Sequence, residues 1–227
     1  MEMTAPNRAW GDKSKSTGVT SATPPTADRI RLSCYDPVWP LFYSKEQQRL
    51  EKVLSSCSPI IDHIGSTAVR GLRAKPVIDV VVGLHNHRQL RDCINLLTEA
   101  GYSYLPQFES VVPERRFFEV TRRCSSGNTI KVHVHAALKT SVFCAQRIQF
   151  RDSLRRSRAI SAAYARLKTR LAKQYPDNRR AYSAAKGDFI TGVLQLDRSN
   201  TRQICPRVDR NVRRSGSSST HSQFSTC

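Results

Sequence analysis

The chain has 227 residues, with 37 Lys and Arg against 18 Asp and Glu, so its formal net charge is +19. Its hydrophobic content of 39% is below the ~45–50% of typical globular domains, which indicates that part of the chain stays outside a core. No apolar stretch approaches the ~20 residues of a membrane-spanning helix, and the N-terminus has no apolar signal region. The seven cysteines form no CxxC pair. We therefore expect reduced thiols and a cytoplasmic location, with the nucleus as the alternative.

The two ends differ from the middle in composition. Residues 1–29 and the basic stretch 197–227 lack periodic apolar positions and are predicted to be disordered tails. Residues 30–196 form the predicted domain, with 27 basic and 13 acidic residues, a net charge of +14. A basic body predicts a small anionic ligand or a nucleotide, or non-specific contact with nucleic acid. The alternative is a generally basic, solvated surface.

The apolar pattern predicts the following elements in chain order: a helix at 41–56, strands at 60–64 and 76–84, a helix at 87–100, a hairpin at 115–123 and 129–137, and helices over 142–195. The run at 76–84 is nearly continuous in apolar residues, so it is expected to be central in the sheet. The helical stretch is expected to break near Ser157 and at Pro176. The predicted fold class is α+β, a small mixed β-sheet flanked by helices with a C-terminal helical segment.

The segment HIGSTAVRGLRAKPVIDVVV (63–82) carries a candidate phosphate-binding turn. Gly65 and Ser66 directly follow a predicted strand, where glycine allows a sharp turn that exposes backbone amides. Those amides, with the hydroxyls of Ser66 and Thr67, are the groups that bind phosphate oxygens in backbone nests.

Asp79 is a lone carboxylate in the apolar strand that follows the turn. Burying it requires a partner, either a metal ion or a cation such as Lys75 or Arg73. Strand alternation places Asp79 and Val81 on the same face. The alternative is a structural ion pair.

His133 and His135 lie two residues apart in a predicted strand and therefore project from one face, ~7 Å apart. If the hairpin pairs beside the Asp79 strand, these three side chains converge and form either a metal site or a carboxylate with a histidine base. The alternative is that one histidine faces solvent and the other is hydrogen-bonded in the core. Glu119, on the neighbouring strand, is the candidate for a further carboxylate.

Several motifs resemble those of the GrpB family, which is similar to an outlying branch of the nucleotidyltransferase superfamily: YDPVW (35–39), HIGSTAVRGLRAKPVID (63–79), HVH (133–135), FRDSLR (150–155), AYARLK (163–168) and AAKGDFI (184–190). The resemblance spans residues 35–192. It implies a nucleotidyltransferase-like fold in which the Gly-Ser turn contacts nucleotide phosphates. It also implies two carboxylates, at i and i+2 of the next strand, that bind a divalent metal, Mg²⁺ or Mn²⁺. Asp79 fills the first position, but Val81 occupies the second, and one carboxylate binds Mg²⁺ less well than two.

A basic stripe runs along the predicted helices. Arg147, Arg151, Arg155 and Arg158 recur at spacings of four, four and three residues. Such a stripe binds a triphosphate or a nucleic-acid backbone through arginine forks, or is simply a solvated face. We single out Arg151 for ligand contact because it belongs to a family motif, followed by Lys168 and Lys186.

The resemblance implies an enzyme that uses a nucleoside triphosphate and a divalent metal to transfer a phosphoryl or nucleotidyl group to a small acceptor. Asp79, His133 and His135 are the predicted catalytic and metal-binding residues. The predicted ligand-binding residues are Gly65, Ser66, Thr67, Lys75, Arg151 and Lys168. Two alternatives are an ATP-dependent amide-bond-forming enzyme acting on a small metabolite and a non-catalytic nucleotide- or anion-binding module, which Val81 favours.

Overall fold

In the computed structural model of the chain, residues 29–123, 127 and 129–204 are described, with side chains described to 196. The elements in chain order are α1 (Val38–Val53), β1 (Ile60–Ile64), β2 (Val77–Leu84), α2 (His87–Glu99), β3 (Ser103–Tyr104), β4 (Arg115–Arg123), β5 (Thr129–Leu138), α3 (Val142–Arg156), α4 (Arg158–Gln174), α5 (Arg179–Ala184) and α6 (Gly187–Ile204). None of the described helices is long and apolar enough to cross a bilayer.

The five strands form one mixed sheet in the order β1-β2-β5-β4-β3. Strand β2 pairs antiparallel with β1 and parallel with β5, and the β4–β5 hairpin continues the sheet. The parallel pair requires a crossover, which α2 and the β3–β4 segment supply. The predicted α+β class, with its mixed sheet and C-terminal helical segment, is confirmed.

The two faces of the sheet are covered differently. Ile78, Val80 and Val82 of β2 point to the main core, where α1 and α2 pack against them. On the opposite face, Val81 packs with Phe143 of α3. Because side chains alternate along a strand, Asp79 lies on the same face as Val81. Asp79 therefore lies on the α3 side of the sheet.

Polar caps divide the C-terminal helices. Ser157 ends α3 and begins α4, and its side chain accepts a hydrogen bond from the backbone N–H of Ile160. Asn178 caps α5 in the same way. Pro176 lies between α4 and α5, where its missing N–H and fixed φ do not interrupt a helix. Both predicted helix breaks are therefore observed.

Several elements differ from the sequence prediction. Helix α1 begins at Val38, three residues earlier than predicted, with Asp36 accepting a hydrogen bond from the backbone N–H of Val38. The two-residue strand β3 was not predicted because it is too short for a period-two pattern. Helix α6 continues to Ile204, past the predicted domain end at 196, since each residue added to a helix gains one hydrogen bond. The rest of the two predicted tails, 1–28 and 205–227, lies outside the described residues.

Candidate functional site

The register of β2 against β5 brings the three predicted catalytic residues together. Asp79 is the partner of His133 in the parallel ladder, and Val81 is the partner of His135. Oδ1 of Asp79 lies 3.2 Å from Nδ1 of His133 and 3.7 Å from Nε2 of His135. Burial raises the pKa of Asp79, but hydrogen bonds from the two histidines outweigh it and hold that pKa well below its usual range. Asp79 is therefore an ionised carboxylate held by two imidazoles.

Glu119 extends this network across the sheet. It is paired with His133 in the β4–β5 ladder, and its Oε2 lies 3.2 Å from Nε2 of that ring. Its other oxygen forms an ion pair with Lys131 at 2.9 Å. Each ring nitrogen of His133 thus faces a carboxylate oxygen. His133 donates hydrogen bonds to both Asp79 and Glu119 only when both of its ring nitrogens carry a hydrogen. When the ring is neutral, one nitrogen faces a carboxylate with no hydrogen between them.

His135 has a different environment, set by an arginine that sequence reasoning missed. Nη1 of Arg115 lies 3.2 Å from Nδ1 of His135, and a guanidinium only donates hydrogen bonds. Nδ1 is therefore the acceptor, and the ring hydrogen is on Nε2, which faces Asp79. Burial lowers the pKa of His135 to about 4, and the neighbouring Asp79 only partly opposes this. No sequence motif marks Arg115, since its contact arises only from hairpin register.

Gly65 allows the turn to approach Asp79. Its φ of +72° and ψ of −170° lie in a region that other residues avoid. A Cβ added at this position would lie 2.5 Å from Oδ2 of Asp79. Both the backbone conformation and the close carboxylate therefore require glycine, and the Gly-Ser turn lies directly against Asp79.

The turn is fixed by hydrogen bonds from several elements. The hydroxyl of Thr67 donates to the carbonyl of Val77 at 3.0 Å and accepts from Nε2 of His63 at 3.0 Å. Arg155 of α3 donates two hydrogen bonds to the carbonyl of Ala68. The Thr67 hydroxyl, predicted to bind phosphate, is thus already used within the turn. Lys168 of α4 donates to Oγ of Ser66 at 3.0 Å, which joins the turn to the C-terminal helices.

A pocket of about 220 Å³ opens beside this turn and is lined by Ser66, Thr67, Lys75, Asp79, His133, Lys168, Tyr182 and Lys186, among others. Burial lowers the pKa of Lys168 to about 7 and that of Lys186 to about 8. In the described part of the chain neither ammonium has a carboxylate within ion-pair distance. The Tyr182 ring lies between two lysines, with Nζ of Lys186 at 4.4 Å and Nζ of Lys75 at 5.7 Å from its centroid. The pocket therefore holds at least two lysines, Lys168 and Lys186, whose charge no carboxylate of the described residues neutralises by an ion pair.

Arg151 does not line this pocket. Its guanidinium pairs with Asp62 at 2.7 Å and Asp152 at 2.8 Å, and also donates to the carbonyl of His63. The side chain is 9% exposed. These contacts fasten α3 to β1, whereas a ligand contact of Arg151 stays a prediction from the sequence. Within the basic stripe, Arg147 is the member whose charge interacts with Asp79.

The sequence profile of the GrpB protein family matches residues 29–196 of this chain. The chain belongs to the GrpB family. It is 30% identical over 167 residues to the glutamate-rich protein GrpB of Alkalihalophilus pseudofirmus, covering 73% of this chain and 94% of that protein. It is also 32% identical to a UPF0157 protein of Streptomyces coelicolor, covering 74% of this chain and 84% of that protein. The crystal structure of GrpB from Enterococcus faecalis is similar to it, with a TM-score of 0.62 and 28% identity over 75% of this chain and 99% of that one.

In this GrpB-family chain, the predicted metal ligands do not form a metal centre on their own. The described residues include no group of three or more His, Cys, Asp or Glu side chains placed to hold a metal ion. Oδ1 of Asp79 is engaged by two imidazoles, Nε2 of His135 carries hydrogen, and Val81 is apolar and 2% exposed. Mg²⁺ and Mn²⁺ prefer several oxygen ligands, and only one carboxylate faces the pocket. The donor set therefore does not fit a resident divalent ion.

Proposed function

We propose that the pocket binds the phosphates of a nucleoside triphosphate, and that the protein transfers a phosphoryl or nucleotidyl group to a small acceptor. The observation that carries this proposal is the cluster of Lys75, Lys168 and Lys186 beside the Ser66 turn. Lys168 is 2% exposed, and among the described residues it hydrogen-bonds only to a hydroxyl and a backbone carbonyl. A buried ammonium without a carboxylate is unfavourable unless a ligand supplies the negative charge.

The size of the pocket favours phosphate groups over a whole nucleotide. Its volume of about 220 Å³ is below the ~300–1,000 Å³ of pockets that enclose drug-sized ligands. We infer that the phosphates bind inside, against the lysines, while the nucleoside extends toward the opening.

The Asp79–His133 pair supplies a proton acceptor beside the phosphates. In the proposed step, an acceptor oxygen or nitrogen bonds to phosphorus as the bond from phosphorus to the leaving oxygen breaks. Attack at the α-phosphorus releases pyrophosphate, and attack at the γ-phosphorus releases a nucleoside diphosphate. The acceptor's proton passes first to the Asp79 carboxylate, which lines the pocket, and from it to the facing nitrogen of His133, which then donates to both Asp79 and Glu119. The lysine ammonium groups stabilise the negative charge on the leaving phosphate.

The divalent ion belongs, in this proposal, to the substrate. A triphosphate in solution carries its own Mg²⁺ or Mn²⁺, so the protein need not hold a resident ion. Of the carboxylates in the described ranges, Asp79 alone lines the pocket, so it is the one placed to meet such a complex.

Isothermal titration of the full chain with ATP, GTP, CTP, UTP and pyrophosphate, with and without Mg²⁺, tests the proposal. We expect at least one triphosphate to bind, and Lys186→Gln to weaken binding by about tenfold because one charge-assisted contact is lost. The matched control is Arg166→Gln, at an exposed position on α4 outside the pocket. Equal weakening by both changes would mean that ligands respond only to the general basic charge, and would overturn the proposal.

A second candidate, a non-catalytic anion-binding module, is favoured by the engagement of Asp79 with two histidines and by the apolar Val81. It predicts that nucleotides bind equally well with and without Mg²⁺, and that Asp79→Asn strengthens binding by removing a negative charge. The enzyme proposal predicts that Mg²⁺ improves binding and that Asp79→Asn removes this improvement.

A further inference from the structure

A groove between α3 and α6 lies next to the lysine pocket. Its volume is about 360 Å³, within the range of sites that enclose small molecules. Its side-chain lining comes from both helices and from α5, and includes Gln146, Arg147, Ser183, Ile190, Thr191 and Leu194. Nothing in the phosphate-binding proposal uses this groove.

The groove and the lysine pocket are adjacent. Ser183 lines both, and Lys186 of the pocket directly precedes Gly187 at the start of α6, which lines the groove. Arg147 lines the groove, and its charge interacts with those of Asp79 and Lys186 in the neighbouring pocket. A molecule bound in the groove would therefore lie beside the phosphates.

The lining of the groove combines one cation, uncharged polar groups and a short apolar wall. In the described part of the chain, the side chains of Gln146, Arg147, Ser183 and Thr191 form no hydrogen bond or ion pair with other residues. Cζ of the Arg147 guanidinium lies 5.1 Å from the centroid of the Phe143 ring, a cation–π contact that uses none of its N–H donors. No acidic side chain lines the groove.

These features select a particular ligand chemistry. An arginine edge with free donors binds a carboxylate through two parallel hydrogen bonds. Neighbouring hydroxyl and amide groups bind further polar atoms, and Ile190 and Leu194 contact a few methylene groups.

We propose that this groove is the acceptor site, and that the acceptor is a small aliphatic carboxylate bearing a hydroxyl or amine. The inference rests on the proposed transferase function. It adds the location and the chemical class of the second substrate. Arg147 holds the carboxylate, and the nucleophilic end of the molecule extends past Ser183 toward the phosphates.

Methyl NMR of the full chain, labelled with carbon-13 at Ile and Leu methyl groups, tests the proposal. Butyrate is the probe, and butyramide, of the same shape but uncharged, is the matched ligand control. We expect the Ile190 and Leu194 signals to shift saturably with butyrate and not with butyramide. Arg147→Gln should weaken butyrate binding by about tenfold, since a bidentate ionic contact is lost. Arg170→Gln, exposed on α4, is the control variant and should bind butyrate as the natural chain does.

Pyrophosphate titrations separate failure of this inference from failure of the proposed function. If the groove is a distinct site, the butyrate shifts persist when pyrophosphate saturates the lysine pocket, and Arg147→Gln retains pyrophosphate affinity within about twofold because the charge is screened. Competition between the two probes, or equal butyrate binding by the natural chain and Arg147→Gln, would overturn the acceptor site. Absence of any pyrophosphate or triphosphate binding would instead overturn the proposed function, whatever butyrate does.

Discussion

Arg115 and His135 are diagonal neighbours on β4 and β5, and the guanidinium Nη1 lies 3.2 Å from the imidazole Nδ1. This contact keeps the ring hydrogen on Nε2, toward Asp79, and disfavours a second hydrogen on Nδ1. We predict that Arg115→Met raises the pKa of His135 from about 4, because the opposing cation is removed while burial is kept. Nitrogen-15 NMR of the imidazole reports both the tautomer and the titration. Arg116→Met, one residue along and on the opposite face, should leave the His135 signals unchanged.

Substitution of Gly65 separates two reasons why this position requires glycine, the positive φ and the close contact with Asp79. Gly65→Ala and Gly71→Ala both place a side chain at positive φ, which destabilises by ~1–3 kcal/mol. Only at Gly65 does the new methyl group meet the Asp79 carboxylate, at 2.5 Å, whereas nothing lies within 4 Å at Gly71. We expect Gly65→Ala to be the more destabilising of the two and to displace Asp79 from His133. Urea denaturation and the His133 NMR signals measure the two effects, and equal losses of stability would show that the close contact is unimportant.

Lys168→Met is expected to stabilise the unliganded protein while abolishing phosphate binding. Burial lowers the pKa of Lys168 from its ordinary value of 10.5 to about 7 in the folded protein. Between pH 7 and pH 10.5 this lysine is therefore more fully protonated in the unfolded chain than in the folded protein. Folding stability of the natural chain should therefore rise with pH over this window. Lys168→Met removes the cost of burying this charge but also loses two hydrogen bonds. The free energy of unfolding at pH 7 should therefore increase by about 1 kcal/mol, which raises Tm by ~2–4 °C.

Differential scanning calorimetry with and without pyrophosphate tests whether Lys168→Met raises stability and abolishes phosphate binding. Pyrophosphate should raise the Tm of the natural chain and of Lys173→Met, an exposed control on the same helix, but not that of Lys168→Met. A lower Tm for unliganded Lys168→Met would show that its two hydrogen bonds outweigh the burial of its charge.

His63 predicts a loss of stability in mild acid. Burial lowers its pKa to about 4, with the nearby arginines adding to the effect and Asp79 opposing it. The unfolded residue, with the ordinary value of 6.5, therefore binds protons first, so stability is complete above pH 6.5 and declines as the pH falls toward 4. The loss from this one residue is at most about 3 kcal/mol. His63→Gln should flatten the pH dependence of urea unfolding, whereas His85→Gln, at an exposed histidine, should not.

Arg151→Lys should destabilise the fold and leave ligand affinity unchanged per folded molecule. A lysine keeps the charge but cannot contact Asp62, Asp152 and the His63 carbonyl together, and we expect a loss of ~1–3 kcal/mol. Arg158→Lys, exposed at the start of α4, should change stability by less than ~0.5 kcal/mol. Weaker ligand binding by folded Arg151→Lys would restore the ligand contact expected from the sequence.

The comparison of Arg115 with Asp79 shows what the sequence can predict of this site. Asp79 is conspicuous because a carboxylate interrupts an apolar run, and His133 and His135 share a face by strand spacing alone. Whether the three side chains converge also depends on the register between β2 and β5. The pairing of these strands was assumed and not predicted from the sequence. Arg115 and the buried Tyr182 ring act through tertiary position, and no local pattern marks them. The stripe spacing marked Arg147, but not its place near Asp79. The spacing of the arginines in the basic stripe predicted that they share one helix face. It did not predict that Arg151 is the one that forms ion pairs with Asp62 and Asp152.

The hydrogen bond between Ser66 and Lys168 joins residues that are 102 positions apart in the chain. A ribosome that has released the chain as far as β5 has supplied Lys75, Asp79, His133 and Glu119, but neither Lys168 of α4 nor Lys186, which precedes α6. The sheet side of the pocket is therefore synthesised before two of its three lysines, and ligand binding requires the last helices to dock. A phosphate ligand should consequently slow amide hydrogen exchange most strongly in α4 and α5. The bound anion would then stabilise the docking of the C-terminal helices against the sheet.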